Sequence, residues 1–186
     1  MSKKSIKPFV IKPGSKVRLK DIPSDIDDPG YDKKSAKKRI AENVEVMAEL
    51  AKKLYAEDQR SILLVLQGMD TAGKDSLIRE VFKDFNTRGV VVHSFKVPTD
   101  LELKHDFIWR HYIALPARGK FSIFNRTHYE NVLVTRVHPE YILGENLPEI
   151  NSVDDITEDF WQKRFQQIRN FEEHITDNGT IIFKFF

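Results

Sequence analysis

Nine consecutive residues carry the strongest chemical signal in the chain: Gly68-Met69-Asp70-Thr71-Ala72-Gly73-Lys74-Asp75-Ser76. Glycines at both ends of such a loop let the backbone curl until successive N–H groups converge on one anion. A helix starting behind the loop adds the partial positive charge of its N-terminus, and Lys74 adds a full one. The combination reads as a phosphate cradle. Loops of this spacing carry Ser or Thr directly after the lysine as a ligand for Mg2+. Here that position is Asp75, and the hydroxyl, Ser76, comes one residue later. The identity of the metal ligand is therefore open, while the backbone cradle stands. A strand-to-helix turn with a chance lysine is the plainer alternative, and the strand and helix patterns on either side argue against it.

A second group of polar residues follows an apolar run: Phe124-Asn125-Arg126-Thr127-His128-Tyr129-Glu130. In open parallel sheets, ligands sit at the carboxyl ends of the strands, so these residues should face the same crevice as the loop. An acidic residue here would hold Mg2+ through its water shell. Asn125 is neutral, so Asp70 or Glu130 must provide the carboxylate if one is used. Arg126 is placed to neutralise charge on a transferred phosphoryl group. A helix cap and first turn would account for Asn125 and Glu130, but poorly for Arg126 and His128. Other candidates are weaker. Asp106 and Arg110 are four apart and can pair on one helix face. His105 and His111 fall on different faces, and His93, His138 and His174 show no ligand spacing. Trp109, Trp161 and the thirteen Phe read as core. Arg118 and Lys120 could line an anionic channel or be ordinary loop charges.

The elements that must position these groups alternate. Apolar runs at 61–67, 90–96, 121–124 and 180–186 read as strands, the first covered on both faces. Helices are expected at 32–56 with Asp32 as N-cap, at 76–85, 101–115 and 128–137, and from Asp154 or Asp155 to the Asn178-Gly179 stop. Residues 139–153 read as a loop, and 1–31 as an extended leader broken by Pro8, Pro13, Gly14, Pro23, Pro29 and Gly30. Strands alternating with helices imply an α/β fold, a parallel sheet sandwiched between helices. The expected organisation is the leader, then one domain over 32–186 with its core at 61–186. The chain stops inside an apolar strand with no following helix, so that domain reads as C-terminally incomplete.

With 186 residues, 40% hydrophobic and 31% charged, the chain suits one folded domain rather than a disordered segment. No apolar run is long enough to span a bilayer, and Met1 to Pro8 lacks the apolar core of a secretory signal. Zero cysteines exclude disulfides, a thiolate nucleophile and thiolate-bound metals, and set the cytoplasm as the default address. The net charge of +2 is unevenly placed: residues 1–40 hold twelve Lys and Arg against five Asp. Such a leader attracts a polyanion, whether nucleic acid, an anionic membrane surface or polyphosphate, unless it is simply a solvated tail. The stripe Ile40, Val44, Met47, Ala51, Leu54 and Tyr55 gives the first helix a face to lay on the domain or on another subunit.

Taken together, several stretches resemble the polyphosphate kinase 2 family. They are Asp28-Pro29-Gly30, Gly68–Ser76, His105-Asp106-Phe107-Ile108-Trp109-Arg110, Phe124–Glu130 and Gly179–Phe186. The likeness runs in order over nearly the whole chain. Asn125, where other classes carry Asp, points to class III, the polyphosphate:AMP/ADP phosphotransferases. The resemblance implies a P-loop kinase fold and Mg2+-dependent transfer of a terminal phosphoryl group from inorganic polyphosphate to AMP or ADP. Asp70, Lys74, Arg126 and Glu130 take the catalytic positions, with Asp70 and Glu130 as the metal-holding carboxylates. Gly68, Met69, Thr71, Ala72, Gly73, Asp75, Ser76, Asn125, Asp106 and Arg110 fall in the phosphate- and nucleotide-binding stretches. Family members continue into basic lid helices and a fifth strand that this sequence does not contain. The expected partners are polyphosphate, AMP, ADP and ATP, with assembly as a homo-oligomer and no role for nucleic acid or membrane. Two rival readings remain: an ATP-dependent nucleoside monophosphate kinase, and a fragment that binds polyphosphate or nucleotide without turnover.

Overall fold

The computed structural model describes residues 10–12, 14–22, 32–85 and 89–186. The rest of the leader, with Pro8, Pro13, Pro23 and Asp28-Pro29-Gly30, lies outside the described residues. The chain divides into two units, Met1–Glu42 and Asn43–Phe186. In the first, the described leader residues are irregular apart from a 3-10 turn at Leu19–Asp21. Helix α1, Lys33–Glu57, begins in this unit and ends in the second. Asp32 caps it as expected, its Oδ1 accepting from the Ser35 amide at 2.7 Å.

The second unit is an α/β layer structure. Four parallel strands, β1 (Ser61–Leu66), β2 (Val90–Ser94), β3 (Phe121–Asn125) and β4 (Thr180–Phe185), lie in the order β2-β3-β1-β4. The central strand β1 is apolar at nearly every position because both its faces are covered. Leu63 and Val65 pack with Phe124 and with Phe171 and Ile175 of helix α7, Glu158–Asp177. Leu64 and Leu66 face the other way, towards Met47, Ala51 and Leu54 of α1 and Ile78 and Phe82 of helix α2, Lys74–Phe82. Tyr55, expected in the α1 stripe, is 62% exposed. A third cluster joins Val132, Ile142, Trp161 and Ile168, fastening α5 (Glu130–Val137) and α6 (Glu140–Leu143) to α7.

Two of the expected helices differ from the sequence pattern because a side chain captures backbone amides. The expected helix 101–115 is two short helices, α3 (Asp100–Leu103) and α4 (Trp109–Tyr112). Thr99 and Glu102 form a capping box around α3, and Asp106 Oδ1 accepts from the Ile108 and Trp109 amides at 2.9 and 3.1 Å. Asp106 is thus a cap and not a mid-helix residue. Helix α7 starts at Glu158 and not at Asp154 or Asp155, because Asp155 Oδ2 accepts from the Asn151 and Ser152 amides at 2.9 and 2.8 Å. The stretch 139–153, expected as loop, contains α6.

Candidate active site

Parallel register brings the polar residues together. Leu66 of β1 and Ser94 of β2 both pair with Asn125 of β3, so all three strands end at one level. Beyond that level lies a cleft of about 360 Å³. The loop after β1 supplies Asp70, Thr71, Gly73, Lys74, Asp75 and Ser76 to it, and β3 supplies Asn125 and Arg126. Gly68, Met69 and Ala72 build the loop without lining the cleft, and Met69 is 85% exposed. Helix α2 opens on Gly73 as N-cap, with φ 90° and no side-chain cap, so its first amides are unclaimed by any side chain. Thr71, at φ 68°, also adopts the left-handed backbone that side chains disfavour. Lys74 donates to the carbonyls of Gly68 and Met69, both at 2.7 Å, drawing the ammonium across the loop mouth.

Arg126 also has left-handed backbone, φ 60°, directly after the strand. Strain of this kind costs about 1–3 kcal/mol and collects where a side chain must be aimed. The turn delivers the guanidinium to the Asp70 carboxylate, with which it is hydrogen-bonded, and to within 3.8 Å of Glu130. Glu130 Oε1 accepts from Gln67 Nε2 at 2.7 Å, and Gln67 Oε1 accepts from Thr127 Oγ1 at 2.9 Å. Glu130 does not line the cleft; with Asp70 it fixes Arg126. Asn125 is 9% exposed and donates through Nδ2 to Asp75 Oδ1 at 2.6 Å.

Asp106 and Arg110 stand outside the cleft and do not pair with each other. Arg110 lies 3.2 Å from Glu102 and 5.1 Å above the ring of Phe95, a residue that lines the cleft. His128, which the sequence sets beside Arg126, is fully buried, its Nε2 3.2 Å from Glu172 Oε1. It is not among the residues that line the cleft. Among the described residues no group of three or more His, Asp or Glu is arranged to hold a metal.

Sequence reasoning missed two sets of residues. Ser94, Phe95 and Lys96 line the cleft, and the rule that picked out Asn125, polar residues just past a strand end, would have found them. The other set gave no local signal. Glu172 of α7 accepts from Tyr129 Oη at 2.7 Å and from Lys184 Nζ of β4 at 2.7 Å. Burial alone would push the Glu172 carboxyl up, but hydrogen bonds from His128, Lys184 and Tyr129 override it and bring its pKa down to about 2. Burial and then Glu172 itself push the Tyr129 phenol up. Burial, His128 and Arg110 hold His111 well below the usual histidine value, so it is neutral at pH 7.

A strand, a glycine loop with its lysine, and a helix at the carboxyl end of a parallel sheet define a P-loop kinase-like fold. The polyphosphate kinase 2 family model matches residues 30–186. An ADP-polyphosphate phosphotransferase of Rhodopseudomonas palustris is 42% identical over 181 residues, 97% of this chain and 61% of that protein. An AMP/ADP-polyphosphate phosphotransferase of Meiothermus ruber is 40% identical, over 97% of this chain and 62% of that protein. The crystal structure of polyphosphate kinase 2 from Arthrobacter aurescens superposes with a TM-score of 0.77 at 34% identity, covering 91% of this chain and 56% of that one. The chain belongs to the polyphosphate kinase 2 family. It spans about three-fifths of the length of these curated relatives.

Proposed function

We propose that this cleft transfers a terminal phosphoryl group from inorganic polyphosphate to AMP or ADP, as in class III of the family. The observation that carries the reading is that Lys74 and Arg126, from opposite sides, share one cleft with the open amides of the α2 N-terminus. The activities for which the relatives are named, ADP- and AMP/ADP-polyphosphate phosphotransferase, support it. Among the described residues no histidine lines the cleft. The chemistry does not need one, because an acceptor phosphate oxygen is already anionic near pH 7. Catalysis then rests on alignment and on neutralising charge between two polyanions.

The residues divide that work. The loop amides and Lys74 hold the phosphates, Lys74 exchanging its two carbonyl acceptors for phosphate oxygens. Arg126, held by Asp70 and Glu130, presents a planar fork to the transferred group. Lys96 adds a further cation to the cleft wall. A Mg2+ ion held here would offset the negative charge of the phosphates. The lining of the cleft suits it, since Asp70, Asp75 and the Ser76 and Ser94 hydroxyls offer hard oxygen ligands, and the buried Asn125 Oδ1 has no hydrogen-bond donor among the described residues.

The rival donor, ATP, is tested directly by chromatography of nucleotide products. AMP and ADP are offered with polyphosphate in one set of tubes and AMP with ATP in another. Product from polyphosphate supports this reading, and product from ATP alone contradicts it. The cysteine-free composition suits a cytoplasmic enzyme. Among the described residues no helix is long and apolar enough to cross a membrane. The exposed Val46, Leu50 and Tyr55 of α1 support a homo-oligomer, which sedimentation velocity tests.

A further inference from the structure

We infer that Asp75 is the carboxylate through which this cleft holds a divalent cation, with Asn125 as its positioning partner. The inference rests on the phosphate-transfer reading of the same cleft and assigns a residue that the reading left open. Two carboxylates line the cleft and a third, Glu130, backs Arg126, and the structure treats them differently. Asp70 is hydrogen-bonded to Arg126, and Glu130 is engaged by Gln67 and faces Arg126 at 3.8 Å. Asp75 lines the cleft, is exposed, and has no cationic side chain within ion-pair distance among the described residues. Its Oδ1 accepts from Asn125 Nδ2, and its Oδ2 accepts no hydrogen bond from the described residues.

A bare carboxylate in a cleft built for polyanions repels its own ligand unless a cation comes between them. Asp75 also occupies the place where loops of this spacing carry the Ser or Thr that binds Mg2+. The second observation is Asn125. It is nine-tenths buried, lines the cleft, and its Oδ1 has no hydrogen-bond donor among the described residues. The amide cannot be turned to hide that oxygen, because Asp75 only accepts and so requires the Nδ2 side. An orphaned acceptor costs about 1–3 kcal/mol, a cost the site bears in order to keep the Asn125 amide turned towards Asp75. Negative charge thus sits on the loop side of the pair, and its neutral partner sits at the end of β3. Among the described residues no cluster of three ligands surrounds Asp75, so the remaining positions of a bound cation would be left to phosphate and water.

The test uses the full 186-residue chain, 15N-labelled, with substoichiometric Mn2+ alone as a paramagnetic probe and no turnover. Broadening should appear first at the amides of Lys74, Asp75, Ser76 and Asn125. Asp75→Asn should raise the Mn2+ concentration needed for equal broadening by at least about tenfold, with the remaining spectrum superimposable on the wild type. The double variant Asp75→Asn/Asn125→Asp moves the charge across the same hydrogen bond and should restore broadening to within about threefold. No broadening in the wild type, undiminished broadening in Asp75→Asn, or loss in Asp70→Asn with none in Asp75→Asn would each overturn the inference. Broadening that follows Asp75 in a chain that transfers no phosphate would uphold the cation site and discard the polyphosphate reading. Transfer with broadening indifferent to Asp75 would do the reverse.

Discussion

At the scale of single residues, the site depends on one arginine being aimed. Arg126 leaves β3 through a left-handed turn and is caught between Asp70 and Glu130, so its guanidinium is fixed before any ligand arrives. Arg126→Lys keeps the charge but loses the planar fork, and should lower kcat by about a hundredfold in a steady-state transfer assay. Asp70→Asn should also lower kcat, since it loosens the guanidinium's hold; an unchanged kcat would show that Asp70 does not position Arg126. The loop and the Asn125-Arg126 pair were legible in the sequence because their signal is local: glycines, a lysine and polar residues at set distances from strand ends. The Asp70–Arg126 contact was not, because its partners stand on different loops of the sheet. The same holds for Glu172, which meets Tyr129 and Lys184 only after α7 has folded back.

Among elements, the sheet followed from sequence more faithfully than the helices did. Both-face burial leaves an unmistakable apolar run such as Ile62-Leu63-Leu64-Val65-Leu66, and β1, β3 and β4 fall within about a residue of their expected bounds. Helix starts were harder, because apolar spacing continues through a break that one polar side chain creates. Asp106 divides α3 from α4 although Leu103, Phe107 and Ile108 keep helical spacing across it. Asp106→Ala should therefore cost about 1 kcal/mol, lowering Tm by roughly 2–4 °C in a thermal melt. A melt identical to the wild type would mean that the two amide bonds at Asp106 do not hold α4. Helix α5 likewise starts at Glu130, since Arg126 is left-handed and the Thr127 hydroxyl accepts from the Tyr129 amide at 3.1 Å.

For the molecule as a whole, acid is the condition that should expose how the parts are joined. Neutral His111 sits among Phe95, Phe124 and His128 with its pKa held down. The unfolded chain takes that proton first, so stability present above pH 6.5 should fall as the pH drops below it. Glu172, folded pKa about 2 against 4.5, contributes stability that is complete above pH 4.5 and lost on descending towards pH 2. Urea melts from pH 7 to pH 2 should show both limbs. Glu172→Gln should remove the lower limb and cost about 3 kcal/mol at neutral pH, since the amide keeps only one of the two oxygens that accept from Tyr129 and Lys184 and loses the charge facing the ammonium. The same melts at neutral pH would show whether Lys74→Ala, a half-buried change at the start of α2, leaves the fold intact. The most direct test of the central claim is then 31P NMR of the chain with Mg2+, polyphosphate and either AMP or ADP, beside Lys74→Ala. Terminal polyphosphate signal should be consumed as nucleotide β- or γ-phosphate grows, with a loss on the order of a thousandfold in the variant. Transfer at the wild-type rate in Lys74→Ala, or none in the wild type, would contradict that claim.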